Sequence, residues 1–186
     1  MKLVVNLHSA VTIVDLLGNV EAGLSQGNEF QWNVKHRTYG RDCGPEPDLA
    51  LWRDSDTGLV CMIKRGHYGH LCGYVGVPNG HKLFGLSDEF EPILQGLRVH
   101  GAVTYSGQIT TFGAFPAMLG FVDNELSFKN TDVWFIGFDA AHSTDLVPMS
   151  FGLPGLLGSS SGDGTYKDFG FMREQCTQLA KQIFQV

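Results

Sequence analysis

The stretch that most constrains this chain is Trp134-Phe135-Ile136-Gly137-Phe138-Asp139-Ala140-Ala141-His142-Ser143-Thr144-Asp145. Its first half is apolar at both parities, so a strand there must be covered on both faces. Its second half places Asp139, His142 and Asp145 where that strand leaves the sheet. Functional groups held at the end of a rigid element stay in place. The rest of the chain is read for what converges on that point.

With 186 residues the chain suits one domain, at roughly 150 residues per domain. Residues 58–184 carry the recognisable motifs, and residues 1–57 are harder to place in the same core. An apolar fraction of 43% supports a real core and argues against disorder. The 24 glycines favour turns over long helices. The expected fold is α+β: a mostly antiparallel sheet with a C-terminal amphipathic helix packed on one face.

A net charge of −6 without a basic stripe argues against binding long nucleic acid through phosphates. No stretch approaches the ~20 apolar residues of a membrane span. The N-terminal apolar run meets His8 and Ser9 too early for a signal core. Cys43, Cys61, Cys72 and Cys176 form no CxxC pair. A cytoplasmic protein with reduced thiols is expected, with Cys61 and Cys72 as small core residues.

Along the chain, residues 3–17 are β-branched and favour strand. Residues 59–65 and 70–78 are apolar runs about a Gly-bounded turn, which predicts a hairpin. The segment Arg98-Val99-His100-Gly101-Ala102-Val103-Thr104-Tyr105 alternates. Read as a strand, it sets Val99, Val103 and Tyr105 on a core face and Arg98, His100 and Thr104 on a polar one. Residues 107–126 read as an aromatic loop. Residues 152–164 are glycine- and serine-rich but lack the Gly-Lys-Ser/Thr of a phosphate loop. Phe169, Met172, Cys176, Leu179 and Ile183 follow 3-4-3-4 spacing, which predicts a helix over 167–184.

The candidate ligand-binding residues are Arg98, His100, Thr104, Tyr105, Asp139, His142 and Asp145, joined by His70 and Trp134. Imidazoles, carboxylates and hydroxyls of this kind suit a metal site, paired-histidine acid–base chemistry, or ligand binding without turnover. The Asp-x-x-His-x-x-Asp spacing is no strong metal signature, and no Gly-x-Ser-x-Gly elbow accompanies it. No cofactor is therefore expected, with a divalent metal as the alternative.

The segments GHLCGYVGVP (69–78) with Gly80-His81, VHGAVTY (99–105), and WFIGFDAAH (134–142) with Asp145 resemble an uncharacterised family of small proteins encoded by bacteriophages and prophages. Tyr166-Lys167-Asp168 and the helix after it fit the same pattern, so the resemblance covers residues 58–184. Typical members carry a second glycine at the position of Ala102 and a cysteine at that of Ala140, which argues against a nucleophilic cysteine here. The resemblance implies expression in a bacterial host cytoplasm. Phage accessory proteins often counter host defences, which suggests binding a small polar molecule and sequestering a nucleotide-derived immune messenger. A metal-dependent hydrolase acting on a nucleotide or phosphodiester is the alternative, using His100, Asp139, His142 and Asp145. A third reading is a protein-binding inhibitor of a host factor, with residues 107–126 as the contact; self-association is left open.

Overall fold

The apolar stretch ending at Asp139 does form a strand, and it lies inside a sheet rather than at its edge. The computed structural model describes residues 2–5, 29–32, 46–66, 68–87, 91–108, 133–148 and 164–186. In chain order the strands are β1 (Lys2–Val5), β2 (Glu29–Trp32), β3 (Leu49–Arg53), β4 (Val60–Arg65), β5 (Leu71–Pro78), β6 (Tyr105–Gly107) and β7 (Val133–Asp139). A helical turn, α1 (Pro92–Gln95), precedes β6, and the helix α2 (Phe169–Phe184) follows β7. The seven strands form one sheet in the order β1-β2-β3-β4-β5-β7-β6. Among the described strands only β1 and β2 pair in parallel; the other five pairings are antiparallel. The expected α+β architecture is present, and described strands from the first 57 residues join the same sheet as the motif-bearing ones.

The hairpin β4–β5 forms where the two apolar runs flank Gly66 and Gly69, with Cys61 opposite Val75 and Lys64 opposite Cys72. β7 then docks on β5 with Val75 opposite Ile136 and Cys72 opposite Asp139. Directly opposed residues share a face. Ala50, Trp52, Cys61, Ile63, Val75, Val77, Ile136 and Phe138 therefore lie on one side, and all are buried. Leu51, Met62 and Phe135 are buried on the other, so the centre of the sheet is covered on both faces, as the apolar run in β7 requires.

Helix α2 covers the first face. Met172, Cys176, Leu179 and Ile183 are fully buried, the stripe that the spacing predicts, and Ala180 joins them. Each large apolar side chain buried there contributes about 1.5–3 kcal/mol. The Asp168 carboxylate caps the helix by accepting from the Phe171 N–H at 2.8 Å. Gly73 stands where the helix crosses β5, and a Cβ there would lie 2.8 Å from Cys176 Sγ. The helix approaches this closely because that position carries no side chain.

A buried guanidinium ties these parts together. Arg65, 2% exposed, ends β4. Its Nε donates to Asp48 Oδ1 at 2.8 Å, and its Nη1 donates to Gly69 O at 2.9 Å and to the Tyr166 hydroxyl at 2.8 Å. Its Nη2 lies 3.4 Å from Glu46 Oε2, which also accepts from Tyr166 at 2.7 Å. The other oxygen of Glu46 accepts the Phe169 N–H at 2.7 Å, at the start of α2. Burial would lower the Arg65 pKa, but Tyr166 and Asp48 outweigh it and the pKa is raised. The group is charged at every accessible pH.

One sequence expectation fails. Residues 98–104 are not a strand; strand structure begins only at Tyr105. The alternation is broken by a turn at Gly101 and Ala102, whose φ values are +75° and +150°. His100 O accepts the Ala102 N–H at 3.0 Å across it. Residues 6–17, residues 109–126 of the aromatic segment, and residues 152–163 of the glycine-rich segment lie outside the described residues.

Replacing Arg65 with alanine leaves Glu46 and Asp48 without their buried partner. It should destabilise the fold by about 3–5 kcal/mol in urea titration. Lysine should not restore the loss, because it cannot reach Asp48, Gly69 and Tyr166 together.

Candidate functional site

Asp139 ends β7, and its carboxylate immediately organises the chain that follows. Oδ1 accepts the Ala141 N–H at 3.0 Å, and Oδ2 accepts from Thr104 Oγ1 at 2.9 Å. The first bond turns the backbone after the strand, a common use of aspartate. The second holds the segment entering β6. The turn carries His142 over Asp145, whose N–H returns to His142 O at 2.9 Å.

Asp145 is 0% exposed and accepts from several directions. Its Oδ2 lies 2.8 Å from His100 Nε2, 3.2 Å from His142 Nδ1 and 2.9 Å from the His142 backbone N, which donates to it. Lys167 Nζ is 3.8 Å from Oδ1. Lysine reaches this point because Leu146 N–H donates to Thr165 O and Thr165 N–H to Thr144 O, a short parallel bridge. Burial alone would raise the Asp145 pKa, but hydrogen bonds from His100 and from His142 outweigh it and hold the carboxyl below its usual value.

The two imidazoles lie 5.1 Å apart between centroids and nearly perpendicular, at 87°. His100 is held by an edge contact with Phe171 at 5.3 Å and by its backbone N–H, which donates to Gln175 Oε1 at 2.8 Å. The His142 ring lies over Gly101, and a Cβ at that position would overlap it. Gly101 is thus required both by its positive φ and by the ring above it. Ala102 takes φ +150° without being glycine, a conformation that costs on the order of 1–3 kcal/mol.

Beside this cluster lies a cavity of about 530 Å³, lined by Tyr68, His70, Cys72, Tyr74, Thr104, Tyr105, Phe138, Asp139, Ala141 and His142. Of its lining residues, Tyr74 lays its ring where a Cβ of Gly137 would be, and Tyr105 meets Tyr74 edge-on at 5.5 Å. Burial raises the pKa of both tyrosines, so both are neutral phenols. Burial also pushes the Cys72 thiol up to about 12, so it is no nucleophile at neutral pH. His70 is driven toward its neutral form by burial, and its Nδ1 is buried without a hydrogen-bond partner.

The structure therefore brings together His70, Thr104, Tyr105, Asp139 and His142 around the cavity, with His100 and Asp145 behind His142. It separates two of the expected contacts from them. Arg98 is exposed, and its backbone is bracketed by Gln182 at 2.7 and 2.8 Å, because the turn at Gly101 breaks the polar face that would have carried it inward. Trp134 stands at the other end of β7, opposite Val77, and its Nε1 donates to Ser106 Oγ at 2.9 Å. His81 is structural: the Leu83 N–H donates to its Nδ1, so its Nε2 carries the proton, 3.1 Å from Ile183 O. Tyr68, Cys72, Tyr74 and Lys167 were not anticipated. Cys72 and Tyr74 share the parity of His70, but only the register of β5 against β7 sets them beside Asp139.

No protein-family model, curated protein or solved structure matches the chain.

Two outcomes follow from this geometry. Relieving the strain at Ala102 with glycine should stabilise the protein by about 1 kcal/mol in urea titration, after glycine's own entropic cost of about 0.5–1 kcal/mol. Asp145 has a folded pKa below its unfolded value of about 3.9. Its contribution is thus present above about pH 4 and lost as pH falls through the lower folded value. Urea midpoints compared at pH 5 and pH 3 should show this acid loss in the native protein and a smaller one in Asp145→Asn.

Proposed function

We propose that the protein binds a small polar ligand of nucleotide-derived class in the cavity beside His142, and that its role is to sequester that ligand. The carrying observation is the lining itself: tyrosines Tyr68, Tyr74 and Tyr105 next to Asp139, Thr104, His70 and His142, around a volume of about 530 Å³. Pockets for small ligands run to about 300–1,000 Å³, with aromatic walls and a few directed polar groups. Tyrosine rings offer a face or edge to a planar base. Asp139 accepts hydrogen bonds only, so it suits a ribose hydroxyl or an exocyclic amine and disfavours a phosphate beside it. The unpartnered Nδ1 of half-buried His70 is a further point that a ligand can complete. The biological setting we propose is the one the phage resemblance suggests, removal of a nucleotide-derived signal that would activate host immune effectors.

A second reading, hydrolysis of a nucleotide or phosphodiester, is favoured by one observation. Asp145 approaches His142 through Nδ1, and His142 Nε2 has no hydrogen bond among the described residues. A carboxylate that orients an imidazole in this way prepares its other nitrogen for general acid–base work.

Calorimetry against cyclic oligonucleotides and ADP-ribose-type signals tests the first reading. A heat of binding is expected with at least one of them. Tyr74→Ala and Tyr105→Ala should each weaken it by about tenfold, the loss of roughly 1.4 kcal/mol of stacking. Absence of heat and of thermal stabilisation across the panel would remove the proposal. Mass spectrometry of ligand released by heating separates the two readings: an intact molecule supports sequestration, and a cleaved one, no longer cleaved by His142→Ala, supports hydrolysis.

A further inference from the structure

We propose that His100, His142 and Asp145 form a binding site for a divalent first-row transition-metal ion. One ligand atom from each of the three lies within 4.8 Å of the others. Around an ion with bonds of about 2.0–2.2 Å, neighbouring ligand atoms stand about 3 Å apart. The observed separations of 2.8 Å from His100 Nε2 to Asp145 Oδ2 and 3.2 Å from His142 Nδ1 to the same oxygen match such edges.

A second observation comes from the crowding at that oxygen. Three nitrogens converge on Oδ2, one of them a backbone N–H at 2.9 Å that can only donate. A carboxylate oxygen offers about two lone-pair sites. The backbone takes one and His142 Nδ1 approaches the other, while His100 Nε2 lies between the two oxygens, 3.0 Å from Oδ1 and 2.8 Å from Oδ2. A cation at the convergence point reverses their roles. Each imidazole then presents a lone pair, and the rings, at 87° to each other, bring their in-plane lone pairs from different directions. Asp145 is wholly buried, and a buried carboxylate is favoured by positive charge close by. Lys167 supplies some of it at the other oxygen, where 3.8 Å is too long for a hydrogen bond, and this leaves Oδ2 for the ion.

The donor set selects the ion class. Neutral imidazole suits zinc, iron, cobalt or nickel, whereas magnesium and calcium prefer oxygen alone. Two histidines and one carboxylate leave coordination positions open, as catalytic rather than structural sites do. His142 also lines the cavity, so the ion would sit at its edge. This recasts the hydrolase reading, on which its catalytic meaning rests: with Nδ1 on the ion, His142 would serve as a ligand in place of the Asp145-oriented base, and a bound divalent ion would lower the pKa of a coordinated water. Occupancy itself can be measured without any turnover.

The test is titration of chelator-treated protein with Co²⁺, followed by its visible absorption and by equilibrium dialysis. One equivalent should bind, millimolar Mg²⁺ should not displace it, and His100→Ala, His142→Ala and Asp145→Asn should each weaken binding at least about tenfold. His142 is the most exposed of the three at 31%, so His142→Ala is the variant expected to remain folded, as circular dichroism would verify. If Asp145→Asn unfolds, the two histidine variants decide. Absence of binding to the native protein, or binding unchanged in both histidine variants, overturns the site. Small-ligand calorimetry on the same chelator-treated protein keeps the failures apart. Ligand heat without Co²⁺ binding would retain sequestration and discard the metal, and Co²⁺ binding without ligand heat would do the reverse.

Discussion

The molecule depends on one buried guanidinium. Arg65 is the only described residue that joins the end of β4, the β4–β5 turn, the segment entering β3 and the residues leading into α2 through its own side chain. Each of those segments also positions part of the site. The β4–β5 turn carries His70, and the segment around Tyr166 carries the Thr165 bridge and Lys167 to Asp145. A hydrophobic side chain could fill the same volume, but it could not fix four segments in one register. Here the ionic hub serves position, since buried ion pairs give little net stability against an apolar replacement.

The site has a parallel logic at smaller scale. Asp139 and Asp145 are six positions apart and do different work because their surroundings differ. Asp139 faces the cavity, bonded to Thr104 and to one backbone N–H. Asp145 is sealed beneath two imidazoles. The first borders the cavity with its carboxylate, whereas the second is set behind it, against the two histidines.

Much of this was legible in the sequence, for reasons that can be traced to residues. The unbroken apolar run at 134–138 demanded a strand covered on both faces, and β7 is one. The spacing of Met172, Cys176, Leu179 and Ile183 gave the buried stripe of α2. The convergence of His100 on His142 was anticipated, although by the wrong route. Alternation suggested a straight strand through 98–105, whereas two residues at positive φ turn the chain and deliver His100 without Arg98. Pattern reading sees side-chain parity but not φ. Ala102, a residue type that rarely takes a positive φ, hid half of the turn. Trp134 was misplaced because a sequence run does not say which end of a strand borders a cavity. The Arg65 hub was invisible because its partners Glu46 and Tyr166 lie 19 and 101 positions away.

That separation has a consequence for how the protein comes into being. Loop-closure entropy must be overcome before distant contacts reward it, so folds rich in such contacts form slowly. Here the Asp145 cluster needs Lys167 and Phe171, and the hub needs Tyr166 and Phe169. A ribosome-bound chain that ends before these residues can pair β4 with β5, but it has neither the hub's last partners nor the helix that covers the sheet. The central strands of such a chain expose Ile63 and Val75, which α2 would otherwise help to bury. The assembled Asp145 cluster should therefore appear abruptly, with the emergence of α2, rather than grow as synthesis proceeds.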